Sequence, residues 1–205
     1  MHTRQQSDYR QAKRAAARSV CGGWARSSDL PTDLEVREEL QRFVAVDDAD
    51  RLPDRFASIH ALLEPLDRVH QRREAHPEGD VLYHSLQVFE LVRQRNPFDE
   101  ELLWAALLHD IGKGIDPADH VAAGLAVLDG LISERTAWLI EHHLDARALR
   151  QGTLGARAAR RLRRHESFEE LELLCICDRE GRVPGAEVPE LEEALEYIRE
   201  LARTL

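Results

Sequence analysis

Aromatic rings are scarce in this chain, 5% of 205 positions, and lysine is almost missing, since all but two of the 28 basic residues are arginine. A core must therefore be assembled from Leu, Ala, Val and Ile. No apolar run approaches the roughly 20 residues that cross a bilayer, and the stretch from Met1 to Val20 lacks the apolar segment of a secretory signal. Cysteine is limited to Cys21, Cys175 and Cys177, an odd count without framework spacing, which excludes a disulfide scaffold and suits reduced thiols. These absences lead us to expect a cytoplasmic protein with no membrane partner. The formal charge of −10 opposes generic attraction to phosphate backbones. Two arginine-rich stretches run against it, one through Arg4, Arg10, Lys13, Arg14, Arg18 and Arg26, the other through Arg157, Arg160, Arg161, Arg163 and Arg164. Both read as solvated helix faces, so nucleic acid is not an expected partner.

What is present is helical periodicity. Residues 1–28 are polar and end near the Gly22-Gly23 breaker, so they are expected to form a flexible or loosely docked N-terminal segment, with 29–205 as one helical domain. Apolar residues recur at helical spacing over 33–46 and 54–70, with Pro65 interrupting the second. HPEGD at 76–80 must be a loop. A helix is then expected over 81–95, ending before Pro97, and another from its cap Asp99 to the glycines Gly112 and Gly114. Further helices are expected at 118–131, 134–145, 154–164, 167–178 and 189–203. No strand-like alternation and no internal repeat is found, so the fold class is all-α, a helical bundle.

Histidine carries the chemical signal. Of the ten, His2, His60, His70 and His165 read as surface or satisfied core residues. His109 and Asp110 differ, because LLHDIGKG sets an imidazole and a carboxylate side by side at a helix C-terminus, where the helix dipole favours a cation. Neighbouring side chains diverge by about 100° on a helix. Both reach one ion only if it lies off the helix end and other helices complete its shell. His84 and Asp178 are the natural partners. Lys113, one of the two lysines, places a compact cation three residues after Asp110.

HPEGDVLYHSLQVFE, AALLHDIGKG, DHVAAGLAVL, LIEHH and CDREGR, in this order, resemble the HD superfamily, and within it the HD phosphohydrolase domain attached to some bacterial tRNA nucleotidyltransferases, the CCA-adding enzymes. The resemblance covers about residues 75–182 and implies an HD-domain helical bundle. It implies His84, His109, Asp110 and Asp178 as metal ligands and Lys113 as the lysine of the HD-x-G-K motif. His120 and one of His142 and His143, with His143 fitting better, correspond to residues that bind a second metal in dinuclear members or contact substrate phosphate in mononuclear ones. The Gly-Ser or Gly-Gly segment with a following D-x-D strand, which the nucleotidyltransferase head requires, is not found, so CCA addition is not expected of this chain. Cys177 stands where the family often has Ala and reads as a buried small thiol. His76, Glu78 and Asp80 read as loop and rim residues.

Imidazoles mixed with carboxylates suit one or two divalent ions of Mn, Fe, Co, Ni or Zn better than Mg, which prefers oxygen and water. The implied activity is metal-dependent hydrolysis of a small phosphate ester, a phosphomonoester or 2′,3′-cyclic phosphodiester of a nucleotide-like substrate. Asp110, Lys113, His120 and His143 are the residues expected to take part. A di-iron oxygenase with the same ligand order, and a nucleotide-binding regulatory module without turnover, are the alternatives.

Overall fold

The computed structural model describes residues 55–72, 74 and 76–204. The segment expected at 1–28 and the helix expected at 33–46 lie outside the described residues. Among the described residues there are eight α-helices: α1 (Arg55–Leu63), α2 (Val81–Arg95), α3 (Glu100–Leu108), α4 (His120–Val127), α5 (Glu134–Arg150), α6 (Ala156–Leu162), α7 (Phe168–Glu180) and α8 (Leu191–Thr204). Two 3-10 turns, Glu64–Arg68 and Ile111–Gly114, follow α1 and α3. Among the described residues there is no strand, only an isolated antiparallel bridge between His70 and Asp80 that closes the HPEGD loop. No helix of the described residues is long and apolar enough to cross a membrane.

The centre of the bundle is α3. Its residues from Leu102 to Leu108 are all buried, and it packs against α2, α5, α7 and α8. A helix apolar on every side can only be covered on every side. Its start is fixed by polar chemistry: Asp99 Oδ1 accepts from Leu102 N at 3.0 Å, while both Asp99 oxygens take a fork from Arg135 at 2.7 and 2.8 Å. Burial would raise the Asp99 carboxyl pKa, but the Arg135 guanidinium outweighs it and holds the group below its ordinary value. The α3 entrance is thus tied to α5 by a charge-assisted pair.

Two boundaries differ from the sequence expectation in ways that matter. The helix expected to reach Gly112 stops at Leu108, and Asp110, at φ −107° and ψ 6°, opens the Ile111–Gly114 turn instead. The tightening follows from a close approach. A Cβ on Gly112 would lie 1.9 Å from the His120 carbonyl oxygen, so α4 seats directly on the turn because glycine has no side chain there. Helix α5 continues to Arg150, beyond the expected 145. Near Pro65 the chain behaves as expected, α1 giving way to a 3-10 turn with that proline at its start.

Candidate metal centre

Four elements converge beyond the C-terminus of α3. His84 comes from the first turn of α2, whose N-cap Asp80 accepts from Tyr83 N at 2.8 Å. His109 is the C-cap of α3, and Asp110 follows it. Asp178 lies in the last turn of α7, and His143 in α5. All five are buried. His120, at the start of α4, is half-buried beside them.

Three imidazoles are held in one manner. The Nδ1 of His84 donates to the Gly181 carbonyl at 2.8 Å, that of His109 to Ala106 at 3.0 Å, and that of His143 to Ile140 at 2.7 Å. Donation from Nδ1 fixes the tautomer and turns each Nε2 toward the shared space. There, His84 Nε2 lies 3.1 Å from Asp178 Oδ1 and 3.7 Å from Asp110 Oδ2, and His109 Nε2 lies 3.4 Å from Asp110 Oδ2 and 4.0 Å from Asp178 Oδ1. Ligands bound at 2.0–2.2 Å to one ion stand roughly 3–3.5 Å from each other, so these separations need only small adjustment. His109 Nε2 is buried with no hydrogen-bond partner, the condition of a ligand atom facing an ion.

The electrostatics ask for positive charge. Asp110 and Asp178 would both be pushed up by burial, yet the imidazoles of His109 and His84 and the ammonium of Lys113 hold Asp110 well below the usual carboxylate range. Hydrogen bonding from His84 does the same for Asp178. Burial lowers the His84 pKa, but its bonds to Asp178 and Glu78 prevail and raise it to about 9. With Nδ1 donating to Gly181 and Nε2 facing Asp178, a proton on Nε2 would occupy the direction a metal would take. The donor set therefore fits a divalent cation.

A second donor set adjoins the first. His120 Nε2 lies 3.4 Å from Asp110 Oδ1 and 3.5 Å from His143 Nε2, and the three donors are near enough to share an ion. Burial lowers the pKa of both rings, that of His143 to about 4, leaving them neutral at pH 7. Asp110 thus turns Oδ2 toward His84 and His109 and Oδ1 toward His120. Lys113 Nζ donates to Asp110 Oδ2 and to Gln71 Oε1, each at 2.6 Å.

Of the residues singled out in the sequence, His84, His109, Asp110, Lys113, His120, His143 and Asp178 come together. His142 does not. Its Nδ1 pairs with Asp145 Oδ2 at 3.0 Å and its ring meets Trp138, because residues adjacent on a helix face different ways. The reading of Glu78 as a rim residue is corrected by its burial: its side chain is fully enclosed, and Oε1 lies 3.0 Å from His84 Nδ1 and 2.8 Å from His76 Nδ1. Gln71 and Arg182, the latter donating to Asp178 Oδ1 at 2.9 Å, were not anticipated. Only the position of Arg182 in CDREGR, one turn after Asp178, could have flagged it. Cys177 is buried as expected, with Sγ accepting from Arg95 Nη1 at 3.4 Å, and burial pushes its thiol up to about 11.

Residues 81–182 match the HD domain family model, so the chain belongs to the HD-domain family, one of metal-dependent hydrolases. Its curated relatives are more specific. It is 30% identical over 171 residues to the multifunctional CCA protein of Hahella chejuensis, covering 72% of this chain and 39% of that protein. It is 32% identical over 157 residues to the multifunctional CCA protein of Paracidovorax citrulli, covering 64% and 37%. The corresponding protein of Acinetobacter baumannii is 28% identical over 185 residues, covering 78% and 44%. The chain thus spans about two fifths of the length of these curated relatives.

Proposed function

We propose that this protein is a metal-dependent phosphohydrolase acting on phosphomonoesters or 2′,3′-cyclic phosphodiesters of nucleotide-like substrates. The observation that carries the reading is the shared orientation of His84, His109 and His143, each anchored through Nδ1 with Nε2 turned toward two buried carboxylates. His84, His109, Asp110 and Asp178 would hold the first ion. Asp110, His120 and His143 would hold a second, or in its place His120 would meet a phosphoryl oxygen. A bound transition metal supplies Lewis acidity toward phosphate and lowers the pKa of water.

The chain's own residues supply the rest. Asp110 and Asp178 stay ionised and can orient a water by accepting its hydrogen bond. Lys113 brings a point charge to the rim, where it can meet the charge that grows on phosphoryl oxygens in the transition state. His120, neutral at pH 7, can carry its proton on Nε2 and donate to the same oxygens, whereas the proton of neutral His143 is held on Nδ1 by Ile140, so its Nε2 offers a lone pair to an ion. The Asp110, His120 and His143 set also keeps the di-iron oxygenase alternative in play, since that chemistry needs two ions side by side.

The test is metal analysis by mass spectrometry on protein purified without chelator, with assays of wild type and Asp110→Ala against 2′,3′-cyclic nucleotides, nucleoside monophosphates and p-nitrophenyl phosphate in Mn²⁺, Ni²⁺ or Co²⁺. Metal-dependent ester cleavage lost in the variant is the expected result. Two irons per chain with oxygen consumption and no esterase activity would transfer the assignment to the oxygenase, and a protein that takes up no metal would end both readings.

A further inference from the structure

Asp178 lines more than the metal centre. It also forms part of a cleft of about 480 Å³ whose other walls include Arg147 and Arg150 from the end of α5, Arg179 from α7, and Arg182 just beyond it. That volume falls within the range of sites that enclose a nucleotide-sized ligand. Four arginines and one carboxylate line it, and Asp178 Oδ1 is already engaged by Arg182 at 2.9 Å and by His84 at 3.1 Å.

Three arginines of this cleft, Arg147, Arg150 and Arg179, differ from several others of the described residues. Arg55 pairs with Glu100, Arg93 with Glu90, Arg95 with Glu180, Arg135 with Asp99 and Arg199 with Glu196. No carboxylate among the described residues pairs with Arg147, Arg150 or Arg179. In a chain of formal charge −10, a concave surface that gathers three guanidiniums without a carboxylate partner, beside the Arg182–Asp178 pair, favours an anion. The planar guanidinium fork matches phosphate oxygens in pairs.

We propose that this cleft binds a second phosphate of the substrate while the first is held at the metal centre, so that the preferred substrates are nucleotides bearing two phosphate groups. The inference rests on the phosphohydrolase reading for the position of the first phosphate. The second can be a terminal 5′-phosphate on a mononucleotide or the next phosphodiester of a short oligoribonucleotide. The chemistry recognised is the same.

The experiment compares binding of adenosine 2′,5′-bisphosphate and adenosine 2′-monophosphate by calorimetry, in the metal-loaded full chain, for wild type, an Arg147→Gln/Arg150→Gln double variant and Arg179→Gln. Circular dichroism verifies that the variants are folded. Wild type should favour the bisphosphate by about tenfold. The variants should shrink that preference and leave the monophosphate Kd within about twofold. Equal affinity of wild type for the two ligands, or variants that weaken both ligands alike, would overturn the proposal. A parallel turnover series uses 2′,3′-cyclic AMP, its 5′-phosphorylated form and a dinucleotide ending in a 2′,3′-cyclic phosphate. The ratio of kcat/KM between the last two identifies which source of the second phosphate is preferred. If no ester in the series is cleaved while the bisphosphate preference persists in binding, the hydrolase reading fails and the cleft assignment stands.

Discussion

Replacing Glu78 is the most informative perturbation of the proposed metal centre, because this residue would act on a ligand and not on the ion. His84 Nδ1 donates to the Gly181 carbonyl at 2.8 Å, and Glu78 Oε1 lies 3.0 Å from the same nitrogen. Loss of a partner to a metal-binding histidine costs about 10–100-fold in metal affinity. Since the Gly181 carbonyl remains and continues to hold the ring, Glu78→Ala should fall at the low end, about tenfold, or roughly 1.4 kcal/mol. Glu78→Gln keeps an acceptor oxygen for His84 and should lose less. The assay is competition for Ni²⁺ or Zn²⁺ against a chromophoric chelator at fixed pH, with thermal melting of the metal-free protein as a control for folding. An affinity in Glu78→Ala within twofold of wild type, alongside a large loss in Asp178→Ala, would refute the claim that Glu78 orients His84 toward the ion.

Other outcomes follow from the same geometry. His143→Ala should lower kcat/KM for a phosphate ester by at least tenfold, an order-of-magnitude expectation for losing a group positioned at the reacting phosphate, whereas His142→Ala should stay within about twofold. Equal losses would mean that the orientation of α5 is misread. Metal binding must displace the proton that His84 holds with a pKa of about 9, so affinity should climb about tenfold per pH unit from pH 7 toward 9 and then level off; a flat profile, measured by the same chelator competition, would show that His84 is not a ligand. Gly112→Ala sets a Cβ 1.9 Å from the His120 carbonyl and should destabilise the fold by about 1–3 kcal/mol in urea unfolding, with no change in midpoint counting against the tight seating of α4. Leu107→Ala in the middle of α3 should cost about 2–5 kcal/mol in the same assay.

The bundle was legible because its helices announce themselves locally. Asp99 before an acidic first turn, Pro65 in an apolar stretch and Asn96-Pro97 after a periodic one each mark a boundary through backbone chemistry that needs no tertiary partner. The order of His84, His109-Asp110, His143 and Asp178 likewise named residues that the fold brings together. The rest depended on approach in three dimensions. Nothing in the spacing of HPEGD shows that Glu78 turns inward, since a loop has no periodicity to separate an inner face from an outer one. Choosing between His142 and His143 needs the rotation of α5 about its axis, and the end of α3 at Leu108 is set by α4 seating on Gly112, a contact with residues eight and twelve positions further along the chain.

Because α3 is enclosed on every side, the doublet at its end inherits the stiffness of the most protected part of the molecule. Opening the His109 and Asp110 positions to exchange should require unfolding the domain as a whole, so the rigid half of the chemistry cannot drift without the protein losing its fold. Arg147, Arg150 and Arg179, exposed near Asp178, stand under no such restraint. If the proposed function holds, substitutions at the exposed ends of α5 and α7 should alter substrate range while the geometry of the histidine and aspartate cluster stays as it is, so recognition and chemistry would be separable in this scaffold.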